Sequence, residues 1–207
     1  RKHIKKGFKQ IPPTMVKDGP VLENIRRDEE VDLLKLPVPV HHEDDGGRYI
    51  GTACGVVTRD PDTGRINVGT YRVQMKGPNI CASYISNGKQ GRIQRDKYLK
   101  AGKPCPILII VGCDPITYLA AAYTMPDAVP EYEWAGGLMG RPVELIEGEV
   151  TGLPFPARSE IVLEGEVMPD ETTLEGPFGE WHGYYAGEAR EEPLIRIKRI
   201  YHRNDPI

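Results

Sequence analysis

The sequence has little net charge, few cysteines and no long apolar run, and each of these features excludes a class of protein. Its 27 basic and 30 acidic residues leave a formal net charge of −3, so no overall field attracts nucleic acid or an anionic membrane. No apolar run approaches the roughly 20 residues that span a bilayer, and no export signal is recognisable. We therefore expect a cytoplasmic protein that binds neither nucleic acid nor membrane.

The cysteines are scattered, without a CxxC pair or a companion histidine at zinc-finger spacing: Cys54, Cys81, Cys105 and Cys113. This pattern disfavours a disulfide scaffold and a zinc finger, and it predicts buried free thiols in a reducing compartment. The sequence also lacks a GxGxxG segment after a strand, a P-loop and a GxSxG elbow. Small-molecule chemistry that uses none of these motifs is the remaining expectation.

The chain is long enough, at 207 residues, to form one domain with a buried core. Residues 1–47 carry scattered prolines and are predicted to be a lead-in segment, with a short helix around Val21 to Arg27. From residue 48 onward the pattern is typical of strands. The runs Tyr49 to Thr58 and Ile66 to Met75 flank the turn sequence DPDTG and predict a β-hairpin.

The later segments predict further strands and a few helices. The aliphatic run over residues 106–112 is typical of a strand covered on both faces. Asp114 and Pro115 stand where an N-cap and a first-turn proline belong, before an alanine-rich helix, and another helix is predicted from Glu131 to Met139. Alternating apolar and charged residues predict antiparallel strands over residues 143–149, 160–167 and 194–202. A barrel or a strongly curled sheet follows from this content.

The segment EGPFGE, from Glu175 to Glu180, places an acid at each end of a short turn. Pro177 fixes φ and the two glycines allow close backbone approach, so the turn is predicted to have a defined shape. Two carboxylates held in this way suit proton-transfer chemistry. An acidic residue beside Gly-Pro is also ordinary turn chemistry, and the spacing alone leaves both interpretations open.

A carboxamide and a guanidinium share the strand-like segment INVGTYR. Arg72 offers the fork that binds carboxylate or phosphate, although a surface arginine on an edge hairpin fits the spacing equally well. Asn67 and Arg72 are an odd number of residues apart, so a regular strand would point them to opposite faces. We therefore predict an irregularity, such as a bulge, at Gly69 or Thr70.

Two other segments carry charges that have more than one interpretation. Glu131 starts a predicted helix, where an acid is either a metal ligand or a favourable charge near the helix N-terminus. The basic segment from Lys89 to Arg95 is either a phosphate site or the solvated face of a helix. Spacing does not separate these alternatives.

An ordered series of segments resembles the UbiD-like decarboxylases, which use prenylated FMN. The matching segments are DLLKLPVP (32–39), DGGRYIGT (45–52), INVGTYR (66–72), VGCDP (111–115), EYEWAGGLMG (131–140), PARSEIVLEGEV (156–167), EGPFGEWHGYY (175–185) and YHRNDPI (201–207). Because family members are longer, the resemblance implies that residues 48–207 are the central cofactor-binding domain. That domain would be an α+β split β-barrel of mainly antiparallel strands with a few covering helices, and the C-terminal domain would be absent.

The resemblance also implies a set of cofactor and metal residues. The cofactor-binding set is Asn67, Gly69, Arg72, Lys89, Gln90, Met125, Pro126 and Glu131. Within it, Asn67, Gln90 and Glu131 would hold a manganese or magnesium ion that clamps the cofactor phosphate. Backbone groups of Ala122, Tyr123 and Met125 would hold potassium. Gln90 departs from the family, which usually has a histidine there, and an amide oxygen is a weaker ligand for a hard cation than a carboxylate.

The activity implied by the resemblance is non-oxidative, potentially reversible decarboxylation of an aromatic or α,β-unsaturated acid, which makes the protein a carboxy-lyase. Arg72 would orient the substrate carboxylate and Glu180 would donate the proton. Glu175 would tune Glu180, because a neighbouring carboxylate favours the protonated form of a carboxylic acid.

The expected partners are the small-molecule acid, a flavin prenyltransferase that supplies the cofactor, and further copies of the chain in a homo-oligomer. The isolated chain is expected to decarboxylate poorly or not at all. The alternatives are a split-barrel flavin reductase or flavin carrier, and a non-catalytic domain or subunit that needs a partner.

Overall fold

The computed structural model describes residues 9–125 and 129–206. Their strands are β1 (Thr14–Met15), β2 (Asn24–Arg27), β3 (Tyr49–Gly51), β4 (Cys54–Arg59), β5 (Ile66–Gly69), β6 (Arg72–Met75), β7 (Ile80–Tyr84), β8 (Cys105–Val111), β9 (Glu144–Glu147), β10 (Pro154–Pro156), β11 (Ile161–Glu175) and β12 (Arg190–His202). Their α-helices are α1 (Gln90–Lys100), α2 (Pro115–Ala122) and α3 (Glu131–Met139). Short 3-10 turns span Pro20–Leu22, Asp28–Glu30 and Leu33–Lys35.

The main sheet has the strand order β3-β6-β7-β12-β11-β8-β4-β5, and β2 also pairs with β12. All of these pairings are antiparallel. Two residues separate β3 from β4, and two separate β5 from β6, although these strands stand at opposite ends of the order. Such short links force the sheet to curl until its ends approach each other. The result is a half-closed barrel, so the predicted α+β split barrel is confirmed.

Strand β8 lies at the centre of the core. Its residues Ile107 to Ile110 are at most 1% exposed, as the aliphatic run predicted for a strand covered on both faces. Leu108 and Ile110 pack with α2, α3 and the small sheet of β1, β9 and β10. Ile107 and Ile109 point the other way, into the barrel. The barrel wall is thus held by apolar contacts on both sides.

The two later helices begin where the sequence predicted. The Asp114 carboxylate accepts a hydrogen bond from the Ile116 amide at 2.9 Å, and Pro115 is the first residue of α2. Helix α3 starts at Glu131 and ends at Met139, before Gly140 in the left-handed conformation at φ 70°. No helix within the described ranges has the length and apolar character needed to cross a bilayer.

The cysteines are free, and three of them are buried, as the sequence predicted for thiols without a disulfide framework. Burial raises the pKa of the Cys54, Cys81 and Cys105 thiols to about 12. They stay protonated at neutral pH and therefore act as small apolar core residues.

The predicted helix around Val21 to Arg27 is wrong. Only a 3-10 turn forms over Pro20–Leu22, and Asn24–Arg27 is strand β2, with Ile25 opposite Tyr201 of β12. A seven-residue segment has too little helix propensity to resist a neighbouring strand that offers backbone hydrogen bonds. Residues 9–47 thus contribute β1 to the small sheet and β2 to the main sheet, and a domain boundary at residue 47 stays a prediction.

Candidate functional site

A cleft of about 260 Å³ opens beside β5, between the start of α1 and the facing ends of α2 and α3. Its lining includes every predicted cofactor or metal residue except Arg72 and Pro126, namely Asn67, Gly69, Lys89, Gln90, Ala122, Tyr123, Met125 and Glu131. Pro126 lies outside the described residues. The fold therefore brings together side chains that are spread over 65 positions of the sequence.

Two buried polar atoms in this cleft have no hydrogen-bond partner among the described residues, Oε2 of Glu131 and Nδ2 of Asn67. Burial raises the pKa of Glu131, although the amides of Glu131 and Val68 and the charge of Arg65 oppose the shift. An unpaired buried carboxylate oxygen is costly, because it has lost water and gained nothing in return. A bound cation would supply the missing partner of the Glu131 oxygen, whereas the Asn67 nitrogen is a donor and needs an acceptor.

The ligand types in the cleft suit a hard divalent ion, since carboxylate and amide oxygens bind manganese and magnesium. No group of three His, Cys, Asp or Glu side chains in the described parts of the chain could hold a metal ion. Glu131, Asn67 and Gln90 would thus leave coordination positions open. Lys89 stands directly before α1, whose N-terminal amides favour anions. The residues fit a metal held jointly by the chain and a phosphate.

The strand is broken where the sequence predicted an irregularity. The chain leaves β5 after Gly69 and enters β6 at Arg72, which is a strand break and not the bulge suggested above. Between them, Tyr71 folds back so closely that a Cβ on Gly69 would collide with its ring. The Gly91 amide donates to the Tyr71 hydroxyl at 3.2 Å, and a Cβ on Gly91 would lie 2.6 Å from the ring.

Tyr71 is a cleft residue that the sequence reasoning did not single out. It joins the end of β5 to the first turn of α1 and lines the cleft beside Asn67. Burial raises the pKa of its hydroxyl, even though the Gly91 hydrogen bond opposes the shift. The only sequence signal was the pair Gly69 and Gly91, and nothing in their spacing connects them to an aromatic ring.

Arg72 does not line the cleft, and it binds Glu175 instead. Its Nε donates to Oε1 at 2.7 Å and its Nη2 to Oε2 at 2.8 Å, a bidentate pair. Glu175 is fully buried, and the Tyr49 hydroxyl also donates to it at 3.1 Å. Burial alone would lower the pKa of Arg72, but the hydrogen bond and charge of Glu175 raise it. Both carboxylate oxygens of Glu175 are therefore occupied by hydrogen bonds from Arg72.

The EGPFGE turn is shaped by the segment around Asp45. The Asp45 carboxylate accepts from the Gly179 amide at 2.7 Å and from the His42 amide at 2.9 Å, and the Gly46 amide donates to the Pro177 carbonyl at 2.8 Å. Burial would raise the pKa of Asp45, but these amide hydrogen bonds outweigh it and lower the pKa. Asp45 thus has a structural role that the sequence reasoning did not assign.

The two acids of the turn have different surroundings. Glu180 is half-buried, and its carboxylate makes no hydrogen bond to any residue that the structure describes. It lies near enough to Arg72 for its charge to help raise the pKa of the guanidinium. Its backbone closes a small turn, with the Glu180 amide donating to the Tyr184 carbonyl at 2.9 Å. One acid is held in an ion pair, and the other has no side-chain partner in the described parts of the chain.

Several decarboxylases resemble this chain over almost its whole length. A pyrrole-2-carboxylic acid decarboxylase from Pseudomonas aeruginosa is 39% identical over 204 residues, which are 95% of this chain and 40% of the relative. A phenolic acid decarboxylase from Bacillus subtilis is 36% identical over 98% of this chain and 44% of the relative. The chain therefore spans less than half the length of these relatives.

Solved structures agree with the sequence relatives. The UbiD-class enzyme HmfF from Pelotomaculum thermopropionicum, in complex with FMN, superposes with a TM-score of 0.90 at 38% identity, over 96% of this chain and 44% of that one. The closed form of vanillic acid decarboxylase from Sedimentibacter hydroxybenzoicus gives 0.89 at 37% identity, over 96% and 43%. The family model of the 3-octaprenyl-4-hydroxybenzoate carboxy-lyase Rift-related domain matches residues 14–207. The fold and the comparisons agree, and the chain belongs to the UbiD family.

Proposed function

We propose that this chain is the cofactor-binding domain of a longer carboxy-lyase that uses prenylated FMN to decarboxylate an aromatic or α,β-unsaturated acid. The observation that carries the proposal is the cleft, which is lined by both Lys89 and Glu131, whose Oε2 has no hydrogen-bond partner among the described residues. Only Thr70 and Tyr71 separate the β5 end of that cleft from the Arg72–Glu175 pair. Named relatives are decarboxylases, and one UbiD-class structure contains prenylated FMN.

At the phosphate end, Glu131 and Asn67 would hold a manganese or magnesium ion, with Gln90 as a weaker ligand. Lys89 and the first amides of α1 would compensate the charge of the phosphate. Backbone carbonyls of Ala122, Tyr123 and Met125 would hold potassium. When bound, prenylated FMN would supply the electron sink that makes cleavage of the carbon–carbon bond feasible.

At the other end, Arg72 would orient the substrate carboxylate. Its Nε and Nη2 are occupied by Glu175, and its Nη1 has no hydrogen-bond partner in the described parts of the chain. That free edge can donate to a carboxylate while the rest of the group is held in place. Glu180, which no side chain in the described ranges binds, would then deliver the proton after carbon dioxide departs.

The alternative of a flavin reductase or carrier gains no specific support. A redox carrier needs the phosphate end of the cleft, but it has no need of a buried Arg72–Glu175 pair next to a free acid. The third possibility, a domain that is inert without its partner, concerns the isolated chain and leaves the activity of the longer protein unchanged.

Cofactor binding can be tested by isothermal titration of FMN into the apoprotein, with manganese or with a chelator. We expect at least about tenfold weaker binding with the chelator, because a metal–phosphate contact is lost. Glu131→Gln should show the weaker affinity under both conditions. Glu144→Gln is the matched control, since Glu144 pairs with Arg158 and lines no part of the cleft. Equal affinity with and without chelator would contradict the proposal.

Activity can be tested with the full-length protein co-expressed with a flavin prenyltransferase. We expect carbon dioxide release from at least one aromatic or acrylic acid in a panel, and no release when the protein carries unmodified FMN. Rapid NADH oxidation without decarboxylation would favour the reductase alternative.

A further inference from the structure

Four side chains lie together across neighbouring strands at one end of the main sheet. In the order β6, β7, β12, β11, these residues are Arg72, Tyr84, Arg190 and Glu175. Arg72 stands opposite Tyr84 in the β6–β7 register, and Glu175 stands opposite Arg190 in the β11–β12 register. Directly paired residues project from the same face of a sheet. Because Arg72 also binds Glu175, all four side chains share one face.

Both arginines contact the ring of Tyr84. The Cζ of Arg190 lies 4.2 Å from the ring centroid, and the Cζ of Arg72 lies 5.3 Å from it. These distances are within the range of cation–π contacts. Arg190 therefore packs against the same aromatic ring that flanks Arg72, and its register partner Glu175 is the acid that binds Arg72.

Arg190 is held by this packing more than by hydrogen bonds. Its Nε is buried and has no hydrogen-bond partner among the described residues. A Cβ on Gly187 would lie 2.7 Å from Nη2 of Arg190, so the chain leaves room for the guanidinium there. Glu192, two positions along β12, is paired with Arg95 at 3.4 Å. Within the described residues no acid forms an ion pair with Arg190, although Glu175 stands opposite it in the β11–β12 register. The structure thus keeps a second cation close to Arg72.

We propose that Arg190 is a positioning residue for Arg72, an inference that rests on the proposed role of Arg72 in orienting the substrate carboxylate. By stacking on Tyr84, Arg190 fixes the ring against which Arg72 packs. It thereby holds the free Nη1 edge of Arg72 in one orientation. The positive charge of Arg190 also strengthens the attraction of this corner of the barrel for a carboxylate.

The test measures binding of aromatic carboxylates to the full-length protein loaded with unmodified FMN. Isothermal titration with benzoate, 4-hydroxybenzoate and pyrrole-2-carboxylate gives an affinity that needs no turnover. For the carboxylate that the wild type binds, Arg190→Met should weaken binding about 3- to 30-fold, which corresponds to the loss of a partly desolvated cation–π contact. Arg190→Lys should recover part of the loss. The control is Arg196→Met on the same strand. Arg196 forms a separate ion pair with Glu171, at 2.6 Å, so this substitution should leave carboxylate affinity unchanged.

A second pair of variants tests whether Arg190 acts through the aromatic ring of Tyr84. Tyr84→Phe keeps the aromatic face and should bind carboxylate like the wild type, whereas Tyr84→Leu should resemble Arg190→Met. The double variant Arg190→Met/Tyr84→Leu should be no weaker than the worse single variant, because both changes remove the same support. Additive losses would overturn the role through Tyr84.

The outcomes separate this inference from the proposed function. If the wild type binds none of the carboxylates, the proposed role of Arg72 fails and the inference fails with it. If the wild type binds one and Arg190→Met binds it equally well, only the inference is overturned. If Arg190→Met also loses affinity for FMN or melts well below the Arg196→Met control, Arg190 is a general structural residue, which again overturns the inference.

Discussion

Replacing the two acids of the EGPFGE turn with glutamine, one at a time, should separate stability from chemistry. Glu175→Gln removes the charge that pairs with Arg72 but keeps the shape of the side chain. Glu180→Gln makes the same change five residues later, at a carboxylate with no hydrogen-bond partner in the described ranges. The two variants are therefore matched controls for each other.

The expected cost of Glu175→Gln follows from the burial of the ion pair. Removing one partner of a buried pair costs about 3–5 kcal/mol. Glu175 is fully buried, but the Arg72 side chain is 20% exposed, and glutamine can still accept one hydrogen bond. We expect a loss of about 2–3 kcal/mol in the free energy of unfolding, with a Tm lower by about 4–12 °C for a domain of this size.

Glu180→Gln should behave in the opposite way. Its carboxylate stabilises little, so the free energy of unfolding should change by less than about 0.5 kcal/mol. If Glu180 delivers the proton, decarboxylation by the full-length enzyme should fall by about 10² to 10⁴, the usual range for general acid catalysis. FMN affinity should be unchanged, because Glu180 does not line the cleft.

Urea denaturation and single-substrate kinetics on both variants provide the assay. The reasoning is refuted if Glu175→Gln is as stable as the wild type, since the Arg72–Glu175 pair would then carry no energy. Near-normal turnover of Glu180→Gln, with Glu175→Gln inactive but stable, would reverse the two roles. Near-normal turnover of both variants would favour the interpretation of EGPFGE as an ordinary turn without a catalytic role.

Three further predictions concern other parts of the structure. Asp45→Asn should destabilise the protein by about 1–2 kcal/mol at pH 7. Because the pKa of Asp45 in the folded protein lies below its ordinary 3.8, the difference in unfolding free energy between wild type and variant should disappear as the pH falls through that lowered pKa. Gly69→Ala should lower stability in urea denaturation and weaken FMN binding in calorimetry, and adding Tyr71→Ala should relieve the collision, so that the double variant loses less than the sum of the two single losses. The isolated chain should release little carbon dioxide, and robust turnover would contradict this expectation.

Local sequence signals predicted several elements because they act over a few residues. Asp114 and Pro115 set the start of α2 through a side-chain hydrogen bond and a fixed φ, whatever the rest of the chain does. The odd spacing of Asn67 and Arg72 located the strand break, because side-chain alternation is a property of the strand itself. The segment Asn24–Arg27 was predicted wrongly, since its pairing with β12 lies far outside any local window.

The site was only partly accessible to sequence reasoning. The resemblance named most residues of the cleft, and the structure gathers them in one place. Tyr71 and Asp45 were not singled out, because their roles depend on the Gly91 and Gly179 amides, which other segments deliver. Arg190 carried no signal at all, since its contact with Tyr84 joins two strands that are distant in sequence.

The sequence by itself determined the start of α2 and the buried character of β8, because capping and apolar patterning act between near neighbours. Only the tertiary structure decided that Arg72, 103 residues away, binds Glu175, while the Glu180 carboxylate has no hydrogen-bond partner among the described residues. That choice depends on how far the sheet curls and which strand ends meet. Chain closure is set by the packing of the whole core, and no local pattern encodes it.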